Sequence, residues 1–198
     1  DQHAGDGDPF DRHSTYIDGC LQLHRPTDMP MSAFVTFDIV QPRLAGTSDA
    51  SFERNAWWLA ARTSLHHDWY VQASDLSPER WKVLDRAARW AKAHERLFRL
   101  SRMVGGDPRQ GAVYGFSAFE GGAGVLALRN PSATPKVLTR YTLSRLLVLP
   151  QDAAGKSYRL TGVCGETKAL EGVRPARATL EVELPPLAVA VFEVKEEG

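Results

Sequence analysis

The chain has 198 residues, with 24 Lys and Arg balancing 24 Asp and Glu, 43% hydrophobic residues and 9% aromatics. That is a globular composition, and it argues against wholesale disorder and fibrous low complexity. A formal net charge of zero argues against a strongly cationic nucleic-acid or membrane-surface binder, and no stretch reaches the roughly 18 apolar residues that a spanning helix needs.

The start, Asp1-Gln2-His3-Ala4-Gly5-Asp6-Gly7-Asp8, has neither the basic nor the apolar region of a signal peptide. The expectation is a processed product or a piece of a longer chain. Residues 1 to about 30 are polar and read as a long loop, with a short helix around Ser14 to Leu23. Met31-Ser32-Ala33-Phe34-Val35-Thr36-Phe37-Asp38-Ile39-Val40 is a short, nearly continuous apolar run closed by Gln41-Pro42, as in a strand buried on both faces of a parallel sheet.

From Ser51 to about Ser64 the pattern turns helical. Phe52, Ala56, Leu59 and Ala60 fall at i, i+4, i+7 and i+8. A second helix opens with Ser77 as cap and Pro78 at its first position, with Leu76 and Trp81 placed for a hydrophobic staple. Trp81, Leu84, Ala88, Ala91 and Phe98 mark its apolar face. It should run to Ala93 or His94, with an irregular tail to Met103. Gly105-Gly106-Asp107-Pro108 breaks the pattern, which puts a domain boundary between 104 and 105.

Beyond it the period turns towards two. Strands are expected at Ala112–Phe119, Gly124–Arg129, Lys136–Leu143, Ser157–Gly162, Ala178–Leu184 and Leu187–Val194, separated by turn signals. The glycine cluster Gly121-Gly122-Ala123-Gly124 fits a hairpin turn better than a phosphate loop, because no helix follows. Tyr114 and Phe116 alternate onto one face and read as core. The fold class is therefore α+β in two parts, a partial (β/α) barrel remnant over 1–104 followed by an antiparallel β-sandwich over 105–198. A single β/α unit leaves an edge and an apolar face uncovered, so missing chain or self-association through that edge is expected.

Two stretches carry a resemblance. Leu76-Ser77-Pro78-Glu79-Arg80-Trp81, continuing through Ala88-Arg89-Trp90-Ala91-Lys92-Ala93, resembles the last barrel helix of bacterial α-galactosidase-like TIM-barrel glycoside hydrolases. Val104-Gly105-Gly106-Asp107-Pro108, Val113-Tyr114-Gly115, Leu126-Ala127-Leu128-Arg129-Asn130-Pro131-Ser132 and the closing Leu187-Ala188-Val189-Ala190-Val191-Phe192-Glu193 resemble their C-terminal β-sandwich. The likeness covers about 70–195 well and 9–69 more loosely. It implies the C-terminal part of such a hydrolase, a carbohydrate substrate, a parent that is commonly exported, and catalytic carboxylates upstream of this chain. The alternative is a non-catalytic carbohydrate-binding or structural sandwich module.

The candidate substrate-binding residues are Asp38, Asp11, His13 and Trp69. Asp38 ends the apolar run, where a barrel strand would reach the active-site mouth. Asp11 and His13 flank Arg12 ahead of a helix and could bind hydroxyls, although Asp11 would serve equally as a helix cap. Trp69 and Tyr70 fall near a loop and suit sugar stacking better than Trp57 and Trp58, of which at least one should be core. His66, His67 and Asp68 lack the spacing of a helical metal pair. Neither a metal nor a cofactor is expected. Cys20 and Cys164 are far apart, and nothing in the sequence requires them to pair.

Overall fold

Helix formation starts earlier than the apolar pattern suggests, because Asp8-Pro9 is a strong start signal. The computed structural model describes residues 5–23, 47–62 and 73–198. In it α1 spans Pro9–Leu23. The Asp8 carboxylate caps it by accepting from the backbone N–H of Phe10 at 2.9 Å and of Asp11 at 3.1 Å. Asp11 reaches back to the Asp8 N–H at 3.3 Å, the reciprocal arrangement of a capping box. Asp8 is thus the cap, and Asp11 is freed for other contacts. The turn before the helix is pinned too, since Asp6 accepts from the Ala133 N–H at 2.7 Å.

Helix α2, Asp49–Ala61, is capped by Ser48. It is buried nearly all round, with Phe52, Ala56, Trp57, Trp58, Leu59, Ala60 and Ala61 each at most 5% exposed. Both Trp57 and Trp58 are therefore core. Helix α3, Pro78–Phe98, has the expected Ser77 cap and Pro78 start, and it runs about one turn past the expected end. Its inward face is Leu84, Ala87, Trp90, Ala91 and Phe98. Trp81 stands 48% exposed and Ala88 is exposed as well. The apolar stripe is thus rotated from the expected one, because Trp90 and Ala87 take the places assigned to Trp81 and Ala88.

The strands are β1 (Arg102–Gly105), β2 (Tyr114–Glu120), β3 (Ala123–Arg129), β4 (Lys136–Thr142), β5 (Ser157–Gly165), β6 (Gly172–Pro175), β7 (Thr179–Leu184) and β8 (Val189–Glu197), with a one-turn helix α4 (Leu143–Leu147) after β4. Six strands form one sheet in the order β1-β2-β3-β8-β5-β6, while β4 and β7 form a separate pair. Every strand pair among the described residues is antiparallel. The Met31–Val40 run lies outside the described residues, and no barrel remnant is shown. β1 and β6 answer to no predicted strand. β1 lies across the expected 104/105 junction, where an irregular tail was anticipated, and pairs with β2.

The β2–β3 hairpin closes through Gly121 and Gly122, both with positive φ (61° and 83°), the two-residue turn whose twist suits antiparallel strands. β7 alternates strictly between exposed and buried, as its sequence Thr179-Leu180-Glu181-Val182-Glu183-Leu184 requires. The large sheet separates two apolar layers. On one face Tyr114, Phe116, Ala127 and Val191 meet α1, α2 and α3. On the other Leu126, Leu128, Tyr158 and Phe192 meet β4, β7 and α4. The β-sandwich is therefore a large sheet backed by a two-stranded ribbon, with its outer face roofed by helices. Among the described residues no helix is long and apolar enough to cross a membrane.

Candidate functional site

The helix roof meets the sheet through polar residues. On α1, Asp11, Ser14 and Asp18 recur at i, i+3 and i+7, on one face. On α2, Ser51, Asn55, Trp58 and Arg62 recur at i, i+4, i+7 and i+11. Tyr114 and Arg129 rise from the sheet below. Every one of these is buried.

Two carboxylates organise the lattice. Asp11 accepts from Arg54 Nε at 3.1 Å and Nη2 at 2.5 Å, from Asn55 Nδ2 at 2.8 Å and from Ser51 Oγ at 3.4 Å. Arg129 donates to the Asp11 backbone carbonyl at 2.9 Å and lies 3.7 Å from its carboxylate. Burial pushes the Asp11 carboxyl towards protonation. The Arg54 hydrogen bonds, the Arg129 charge and Asn55 outweigh that and hold its pKa below the ordinary value. Two turns along α1, Asp18 accepts from Trp58 Nε1 at 2.8 Å and from Tyr114 Oη at 2.5 Å, and its other oxygen forms an ion pair with Arg62 Nε at 2.8 Å. Burial, with the adjacent Asp18 charge, drives the Tyr114 pKa far upward, so the phenol stays a donor. The Arg129 guanidinium sits 5.6 Å from the centre of the Trp58 ring. Among the described residues its Nε and Nη1 have no hydrogen-bond partner, and the aromatic face carries part of that charge.

This lattice is built to hold rather than to react. Asp11 and Asp18 are both 0% exposed and lie about 10 Å apart along the helix axis. A retaining glycosidase needs its two carboxyl groups about 5–5.5 Å apart and open to substrate. What the lattice does is fix α1 and α2 on the sheet in one register, since any slip would strand buried charge.

Of the four residues singled out from the sequence, Asp11 and His13 fall among the described residues. Asp11 is in the lattice. His13 is half-buried on α1, two residues on, and so points away from Asp11. Asp38 and Trp69 lie outside the described residues, as do His66, His67, Asp68 and Tyr70. Sequence reasoning missed Asp18, Arg62 and Arg129. The signal was there in the helical recurrence of Asp11, Ser14 and Asp18, and in an Arg closing the apolar run Val125-Leu126-Ala127-Leu128. Cys20 and Cys164 are both free thiols. Among the described residues no group of three or more His, Cys, Asp or Glu is placed to hold a metal ion.

No family model matches the chain, and no curated protein matches it. Solved structures do. A suspected α-N-acetylgalactosaminidase from Bacillus halodurans superposes with a TM-score of 0.54 at 12% identity, over 74% of this chain and 32% of its own. The α-galactosidase of Saccharomyces cerevisiae, solved with raffinose, gives 0.54 at 11% identity, over 75% of this chain and 44% of its own. A GH36 α-galactosidase of Geobacillus stearothermophilus gives 0.50 at 12% identity, over 72% of this chain and 19% of its own. At such identities the likeness is one of fold. The chain spans less than half the length of each of these structures.

Proposed function

We propose that this chain is the C-terminal portion of a glycoside hydrolase of the α-galactosidase-like kind, with the segment before β1 from the end of its barrel and the strands from β1 onward its β-sandwich. One observation carries the reading: about three-quarters of the chain shares its fold with such proteins while accounting for under half of each. In the parent protein, carboxylates upstream of this segment cleave the glycosidic bond. Asp38 and Trp69 line the sugar site from this side, and His13 contributes from α1. The sandwich is structural. It covers barrel surface, and the lattice around Asp11 and Asp18 keeps the helices seated on it.

The purified chain is expected to hydrolyse no aryl α-galactoside, and co-expression with the upstream barrel segment of its gene is expected to give turnover. Robust turnover by the chain alone, lost on Asp38→Asn, would overturn the reading.

A further inference from the structure

Among the described residues the helix roof leaves the part of β5 around Arg159 and Thr161 and the adjoining part of β8 open. There a groove of about 350 Å³ opens between the C-terminal half of α3, the β2–β3 hairpin and the helix-facing side of β5 and β8. The hairpin lip is made of Gly121 and Gly122, and a side chain at Gly121 would meet nothing within 4 Å. The wall is polar. In the β5–β8 ladder Thr161 stands opposite Glu193, and Arg159 opposite Lys195.

Two features of this wall are not what sheet stability alone favours. First, Arg159 and Lys195 are like charges directly opposite one another, an arrangement that costs stability. Arg159 turns to Glu197 at 2.6 Å. Among the described residues no ion pair engages Lys195. Second, Glu193 is held in place rather than left to wander. Trp90 Nε1 donates to its Oε1 at 3.1 Å, and His94 Nε2 lies 3.5 Å from the same oxygen, a second hold when the imidazole is protonated. Both contacts fall on Oε1, which leaves Oε2 able to accept from another donor. His94 is itself fixed by Nδ1 donating to the Trp90 carbonyl at 2.8 Å.

The result is a fixed acceptor (Glu193), a hydroxyl (Thr161) and two cationic donors (Lys195 and Arg159) side by side. The two cations are balanced by Glu193 and Glu197. A balanced set has no call for a charged ligand. It suits a group whose every oxygen both donates and accepts, because an ionised donor and an ionised acceptor can each engage one hydroxyl. We propose that this groove is a saccharide-binding site for one ring of a neutral sugar, separate from any hydrolytic centre. The choice of a galactose-containing probe rests on the proposed function, whereas the site itself does not.

The test is ¹H–¹⁵N correlation spectroscopy of the full chain titrated with raffinose to tens of millimolar. The expected result is saturable shifts at the amides of Gly121, Gly122, Gly124 and Thr161. Lys195→Ala, at an exposed position, and Glu193→Gln, which keeps the oxygen that Trp90 contacts, should each weaken binding about five-fold or more with thermal melting unchanged. Absence of shifts, shifts confined to other residues, or shifts indifferent to both variants would overturn the proposal. So would inorganic phosphate shifting the same amides and displacing raffinose, which would mark an anion site. The hydrolase reading is judged on turnover, so either idea can fail without the other.

Discussion

Replacing Asp18 by Asn puts the helix–sheet junction to its sharpest test. The change is nearly isosteric, so it opens no cavity. It removes the negative charge that faces Arg62, whose side chain is 1% exposed, and places an amide where Trp58 and Tyr114 both donate. Breaking a buried ion pair from one side costs about 3–5 kcal/mol, because the remaining charge keeps its desolvation penalty and loses an opposite charge at contact distance. For a chain of this length each kcal/mol moves the melting temperature by about 2–4 °C, so a fall of about 6–20 °C is expected. Urea denaturation followed by far-ultraviolet circular dichroism measures the free energy directly. Arg62→Met supplies the control. Alone it should be costly, and combined with Asp18→Asn it should recover most of the loss, since a neutral pair replaces a buried charge that faces no carboxylate at Asp18. A loss below about 1 kcal/mol for Asp18→Asn, or strict additivity in the double variant, would refute the claim that this lattice fixes the helices on the sheet.

The other predictions concern single positions. A Cβ on Gly115 would fall 1.9 Å from the Ala127 carbonyl oxygen, so Gly115→Ala should drive β2 off β3 and cost about 3 kcal/mol or more. Gly155→Ala, where a Cβ meets nothing within 4 Å, should leave the urea midpoint where it is. The folded-state pKa of Asp11 lies below its ordinary value of 3.8, so the stability it adds is present above about pH 4 and is lost as pH falls through the folded value. Asp11→Asn should therefore flatten the acid limb of a plot of urea midpoint against pH. Burial, aided by the Glu53 charge, raises the Cys164 pKa to about 12. Iodoacetamide at pH 8 should thus alkylate it slowly in the folded chain and rapidly in urea, as mass spectrometry of the modified peptide would show.

Local signals in the sequence were read well where one physical effect dominates. Ser77-Pro78 starts α3 because a cap and a pre-set φ act within two residues. The Gly121-Gly122 hairpin and the alternation of β7 are similarly local. Features decided by tertiary context were less accessible. The four-residue strands β1 and β6 are too short for any period to show, and their pairing partners are what make them strands. Leu143 looks like the end of β4, yet Thr142 accepts from the Arg145 N–H and turns the chain into α4. Trp81 and Trp90 are interchangeable on hydrophobicity, and only the position of the sheet decides which is inside. The lattice was hardest of all. Arg62 and Arg129 find their partners only when Asp18 and Asp11, 44 and 118 positions earlier, are brought beside them.

The strand order carries a lesson for how the chain is made. β8 is the last strand in sequence, yet it lies between β3 and β5 in the middle of the large sheet. On the ribosome, β1 to β3 and the β5–β6 pair remain two unjoined halves until Val189–Glu197 has left the exit tunnel, whatever follows Gly198. Through that interval the greasy undersides of α2 and α3 have only half a floor. The nascent segment is then open to chaperones, and a truncation ahead of Val189 would forfeit the keystone rather than a trailing end.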